Sequence, residues 1–138
     1  MALKACFIDV THWHAPHYYN TLQQLVGVAA ISARNPQSGR EVAAKLGSRF
    51  YADWREMVQK EEPEFVFALG RHCDLAETAR FLLEENVPFA MEKPMGMNVR
   101  EVEELAALAK RKSAFVAVPF SIRMAPWVQK VKELEGPA

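Results

Sequence analysis

The stretch LKACFIDVTHWHAPHYYNTLQQL, Leu3 to Leu25, decides how the rest of the chain is read. Leu3 to Val10 is an apolar, β-rich run, the pattern of a strand buried on both faces. Ala15 to Leu25 reads as a helix, with Pro16 in the first turn, where a missing N–H is tolerated. Only Thr11 to His14 separates them. A buried strand that passes through so short a turn into a helix is the start of a β/α unit.

The pattern repeats outward from there. Val26 to Ala33 is a second buried strand, followed by Asn35 as cap, Pro36 at the first helical position and Gly47 as helix stop. Arg49 to Ala52 is a short third strand. Asp53 and Glu56 have capping-box spacing for a helix that Pro63 closes. Glu64 to Leu69 is the fourth strand, and Asp74 is expected to cap a helix running to about Asn86. Pro88 to Pro94 is the fifth strand; Asn98 opens a helix to about Arg111. Ala114 to Phe120 is the sixth strand, and a last helix starts near Ala125. Apolar strands alternating with helices through short connections predict an α/β fold: a doubly wound, mainly parallel, six-stranded Rossmann-like sheet with helices on both faces. Such sheets bind ligands at the carboxyl ends of their strands. Here those ends are Asp9 to His14, Ala33 to Asn35, Leu69 to Cys73, Glu92 to Gly96 and Phe120 to Arg123.

The bulk composition narrows the class. The 138 residues carry 17 Lys plus Arg against 17 Asp plus Glu, so the formal net charge is zero. That argues against a nucleic-acid binder driven by phosphate neutralisation. No apolar run reaches the length of a membrane span and no secretory h-region opens the chain, so no membrane partner and a cytoplasmic location are expected. Cys6 and Cys73 are expected to be reduced thiols.

The most specific motif is EKP, Glu92 to Pro94: a lysine just past a buried strand, placed to touch a polar group of a substrate or cofactor. The plain alternative is a Glu–Lys pair at a surface strand end. With ARNPQSGREVAAKLG (33–47), YADWREMV (51–58), EFVFAL (64–69), NVPFAMEKPMG (86–96) and FVAVPFSIRMAPWVQKVKEL (115–134), the motif resembles the Gfo/Idh/MocA oxidoreductases over nearly the whole chain. The resemblance implies an NAD- or NADP-binding domain. It implies sugars, inositols or similar polyols as small-molecule substrates, and a second α/β domain that supplies most substrate contacts and the oligomer interface. It makes Lys93 the catalytic residue, oriented by Glu92.

Departures from the family pattern are as informative. The family's G-x-G-x-x-G turn falls on Asp9, Thr11 and His14, and its following histidine on His17. Asp9 places a carboxylate where a phosphate would approach, and Thr11 adds bulk at the closest contact. His12 and His14 add donors, and the helix N-terminus keeps its positive dipole end, so retained dinucleotide binding is expected. Thr11, His12, Trp13 and His14 are thus cofactor-binding candidates together with Asp9. The acid usual at the second strand end is replaced by Ala33, followed by Arg34, which favours NADP over NAD, although a solvated arginine at a helix start reads the same. After the fourth strand stand Leu69, Gly70 and Arg71, and after the sixth Ser121 and Arg123, where the family often has asparagine and arginine. Leu69, Gly70, Arg71, Glu92, Lys93, Pro94 and Arg123 complete the candidates. Lys93, Arg34 and the histidine turn are expected around one hollow.

The THWH stretch also looks like the start of an amidohydrolase metal site. The chain is far too short for that barrel and offers few further ligands, so no metal is expected. Trp13, Tyr18 and Tyr19 are expected to pack on the sheet more readily than on a ligand, and Met91, Met95 and Met97 to fill the core. Residues 1–124 read as the nucleotide-binding domain and 125–138 as a helix leading to a second domain absent from this sequence. A domain that has lost its cofactor with its glycines is the competing reading.

Overall fold

A computed structural model describes residues 2–135. Six strands form one sheet in the order β3-β2-β1-β4-β5-β6, and every neighbouring pair is parallel. The strands are β1 Leu3–Ile8, β2 Val26–Ser32, β3 Arg49–Tyr51, β4 Phe65–Ala68, β5 Phe89–Met91 and β6 Val116–Ala117. Between them run α1 Ala15–Leu22, α2 Pro36–Leu46, α3 Trp54–Glu61, α4 His72–Glu84 and α5 Val99–Lys112. After β6 come a 3-10 turn, Ser121–Met124, and α6 Pro126–Glu135.

Alternation along the central strand explains the double winding. Cys6 and Ile8 enter one core with Met57, Leu75, Leu82, Leu83, Phe89 and Leu105, contributed largely by α3, α4 and α5. Phe7 faces the other way, into a core with Ala15, Tyr19, Ile31 and Ala43 under α1 and α2. A period of two on a strand with both faces covered yields the unbroken apolar run seen in the sequence. Chain order reverses between β1 and β4, both central, so the crevice at their carboxyl ends is the topological switch point.

Boundaries differ where local chemistry intervenes. Helix α1 stops at Leu22, not Leu25, because the chain turns there to begin β2, with Leu25 N–H donating to Leu22 O. Strand β6 keeps only two residues; Pro119 cannot donate to a ladder. Asp74 is not the cap of α4. The helix starts three residues earlier, with Arg71 at the cap, and Asp74 lies in its first turn, where its charge suits the helix dipole. The caps of α2, α3 and α5 are as expected: Asn35 accepts from Gln37 and Ser38 N–H, Asp53 from Arg55, and Asn98 from Glu101. Among the methionines, Met91 is buried and Met95 packs against the core, but Met97 is exposed beyond the strand end.

Candidate active site at the carboxyl edge of the sheet

The β1 to α1 turn keeps the backbone of a glycine turn without the glycines. Asp9, at the first glycine position, has φ 55. That left-handed conformation is open to glycine and, among other residues, best tolerated by Asn and Asp. Its carboxylate is nearly buried and fully engaged. Oδ2 accepts from Arg34 Nε at 2.7 Å, and Oδ1 accepts from the Thr11 hydroxyl. The charge expected to repel a phosphate is therefore already neutralised, by an arginine from the end of β2.

Inside the turn the amides are partly spent. His12 N–H donates to Asp9 O, Ala15 N–H to His12 O, His17 N–H to His14 O, and His14 N–H to the His12 ring at 3.2 Å. Pro16 has no N–H to offer. Burial holds the His12 imidazole below its usual range, consistent with a neutral ring that accepts this bond. The anion cradle at the start of α1 is thus narrower than the free helix N-terminus expected from the sequence. The rings of His12 and His14 are neighbours, with centroids 5.3 Å apart, but among the described residues no three His, Cys, Asp or Glu side chains converge on a metal position.

Two hollows flank this turn, where the sequence suggested one. The first, about 140 Å³, lies between the ends of β1, β2 and β4; Asp9, Ala33, Arg34, Leu69, Gly70 and Trp54 contribute to its walls. Gly70 has φ 131, a conformation side chains rarely adopt, and an added Cβ would stand 3.6 Å from Asp9 Oδ2. Two further carboxylates on the rim carry their own arginines. Asp74 holds Arg71 at 2.8 Å, which keeps the Asp74 carboxyl below its ordinary value, and Glu77 pairs with Arg55. Arg55 also lies over the Trp54 ring at 4.0 Å.

The second hollow, about 310 Å³, is lined by Trp13, His14, His17, Tyr18, Glu92, Lys93 and Pro119. Glu92 is its centre: 3 % exposed, it accepts from Tyr18 Oη at 3.0 Å and meets His14 Nδ1 at 2.8 Å. Its other oxygen accepts the Lys93 N–H at 3.2 Å and stands 3.8 Å from Lys93 Nζ. Burial pushes the Glu92 carboxyl up, but the hydrogen bonds from His14 and Tyr18 outweigh it and leave the group below its ordinary value. Burial and the same bond push the Tyr18 phenol up to about 12. His14, at the third glycine position, thus ties the start of α1 to the end of β5 through its ring. Glu92 grips His14 and Tyr18 more closely than the lysine ammonium, which is half exposed and free to reach outward.

The remaining candidates are more dispersed. Leu69 is buried in the wall of the first hollow; Arg71 and Pro94 are exposed on their loops. Arg123 lies exposed in the 3-10 turn, its carbonyl taken by the Gln129 side chain. Trp13 is 73 % exposed and lies tilted against the His14 ring, with centroids 3.6 Å apart, so it does not pack on the sheet; Tyr19 does. Sequence reading missed Tyr18 as a site residue and Trp54 altogether. Tyr18, four positions after His14 on α1, could have been paired with it by helical spacing; nothing local marks Trp54 out.

Known proteins share this sheet and its order of elements. Residues 8–120 match the model of the GFO_IDH_MocA family, described as an oxidoreductase family with an NAD-binding Rossmann fold. The trans-1,2-dihydrobenzene-1,2-diol dehydrogenases of Mus musculus and Sus scrofa are 25% and 26% identical over 108 residues, 78% of this chain and 32% of each of theirs. The chain therefore spans about a third of the length of the curated relatives it matches. Among solved structures, myo-inositol 2-dehydrogenase from Lactobacillus plantarum superposes with a TM-score of 0.88 at 19% identity, over 98% of this chain and 41% of that one. An oxidoreductase from Agrobacterium radiobacter in complex with NAD+, L-tartaric acid and magnesium superposes equally well, at 0.88 and 19%, over 98% of this chain and 40% of that one. With the family model covering residues 8–120, most of its length, the chain belongs to the Gfo/Idh/MocA oxidoreductases, of which it is the NAD-binding Rossmann domain.

Proposed function

We propose that this domain serves an NAD(P)-dependent oxidoreductase acting on a sugar, polyol or related hydroxyl or carbonyl compound. The observation that carries it is the pairing, on one edge of the sheet, of a turn with glycine-type backbone at Asp9 and a lysine held beside a buried carboxylate. The residues fit the cofactor. Gly70 and Arg34, in the first hollow, would hold the adenosine side, Thr11 to His14 would meet the pyrophosphate, and the residues of the second hollow would meet the nicotinamide side. When bound, the nicotinamide supplies or accepts the hydride. Lys93 holds a proton at Nζ toward the reacting oxygen. Glu92 fixes the strand end from which the lysine projects, and itself is anchored by His14 and Tyr18.

Ala33 in place of an acid, with Arg34 next to it, favours NADP over NAD. Arg71, Pro94 and Arg123 border the same edge. Helix α6 leads to a second domain that completes the substrate site and the oligomer: Trp127, Val131 and Leu134, at helical spacing, are 64 %, 46 % and 78 % exposed and supply an apolar face for it. The described helices include none long and apolar enough to cross a membrane.

The spent amides of the turn favour a second reading, a scaffold domain that no longer holds a dinucleotide. Titrating the chain with NADPH and NADH by calorimetry separates the two. Saturable binding of either is expected; heat of dilution alone at millimolar cofactor supports the scaffold.

A further inference from the structure

We propose that Asp9 is the residue that sets this domain's choice at the adenosine ribose, by holding Arg34 in the cleft; the proposal rests on the dinucleotide reading above. A side chain at φ 55 carries a local cost that glycine would avoid, of about 1 kcal/mol. The carboxylate placed there contacts the turn only through Thr11. Its other oxygen reaches across 25 residues of sequence to Arg34 Nε, at 2.7 Å.

Arg34 alone would be a poor recognition group. It is half exposed at the end of β2, and a long side chain at such a position samples many rotamers. Asp9 binds only its Nε edge. Among the described residues no other acceptor is hydrogen-bonded to Arg34, so both terminal nitrogens stay available to the hollow that Asp9 and Arg34 line together. A planar guanidinium fixed at one edge presents paired N–H groups in the geometry a phosphate accepts.

No other charge on that wall competes for the role. Asp74 and Glu77 carry their own arginines, Arg71 and Arg55. Ala33 offers no carboxylate to a ribose hydroxyl, and both Asp9 oxygens are occupied. The cleft therefore presents a guanidinium to the ribose, and each carboxylate on its wall is already paired with an arginine. That arrangement favours a 2′-phosphate and gives a bare 2′-hydroxyl little.

Removing Asp9 has two opposed consequences, and their difference is what can be read. Loss of its charge leaves Arg34 unneutralised beside the turn, which favours any phosphate and so strengthens NADH and NADPH alike. Release of Arg34 weakens NADPH alone. The decisive quantity is thus the ratio of the two affinities, measured by fluorescence titration of the purified chain. Wild type is expected to prefer NADPH by about tenfold, the size of one charge-assisted contact. Asp9→Gly, which the backbone accepts without strain, brings the ratio to within about twofold, as does Arg34→Ala, and the double variant lowers it no further. Asp9→Asn keeps the size and the tolerance of left-handed backbone but loses the charge; it also lowers the ratio, and guards against a folding defect in the glycine variant. An unchanged or larger ratio in Asp9→Gly and Asp9→Asn, with Arg34→Ala still collapsing it, overturns the proposal: Asp9 would then only neutralise charge. Equal or tighter binding of NADH by wild type overturns it too, while leaving the dinucleotide reading in place. Failure of wild type to bind either cofactor overturns both.

Discussion

Replacing Glu92 by glutamine tests the centre of the second hollow without changing its shape. In the wild type the buried carboxylate receives His14, Tyr18 and the Lys93 amide at 2.8, 3.0 and 3.2 Å. Hydrogen bonds to a charged group contribute roughly 1.5–3 kcal/mol each, and neutral ones about half as much. The amide can still accept from Tyr18 and His14 through its oxygen, but its NH2 then confronts the Lys93 N–H, donor against donor. We expect Glu92→Gln to cost about 2–3 kcal/mol, or about 10 °C of melting temperature for a domain of this size. The pH dependence gives a second reading. Because the folded carboxyl lies below its ordinary value, the charge stabilises the fold fully above the unfolded carboxyl range. That contribution is lost as the pH falls through the lower folded value. The difference between wild type and variant in urea unfolding should therefore be largest near neutrality and shrink below about pH 4. Other paired carboxylates, Glu61 and Asp74 among them, are common to both proteins and cancel. A difference that is absent at pH 7, or as large at pH 3 as at pH 7, would refute the account of Glu92 as a hydrogen-bonded carboxylate.

Tyr18 should titrate near its raised value of about 12 by ultraviolet difference spectroscopy, and in Glu92→Gln should fall toward the ordinary phenol range while keeping the part due to burial. Its folded value is raised, so its contribution to stability is whole below about pH 10 and disappears as the pH climbs through the folded value. Gly39 lies under β3, where an added Cβ would come within 2.4 Å of the Phe50 ring and 2.8 Å of Ala33 Cβ. Gly39→Ala gains about 1 kcal/mol of helix propensity but must displace both. A net loss of about 1–2 kcal/mol in urea unfolding is expected, and a stabilised variant would show the contact to be softer than it looks.

Much of this protein is legible in its linear sequence. Continuous apolar runs such as Leu3–Ile8 mark strands covered on both faces, and helix caps such as Asn35 and Asn98 stand where local hydrogen bonding demands them. Backbone preferences and burial period act over a few residues, so a linear reading captures them. EKP is visible for the same reason: it is contiguous. What the sequence by itself determined is the doubly wound parallel sheet and the edge on which Lys93, Arg34 and the histidine turn stand. What the tertiary structure decided is who partners whom. Asp9 with Arg34, and Glu92 with His14 and Tyr18, join residues 25 or more apart in the chain, and each pair converts an apparent defect of the glycine turn into a satisfied contact. Whether a buried carboxylate repels a ligand or is already neutralised depends on distances of 2.7 to 3.0 Å across the crevice. Such distances arise only when separate strands are packed side by side, and no local pattern in the sequence encodes them.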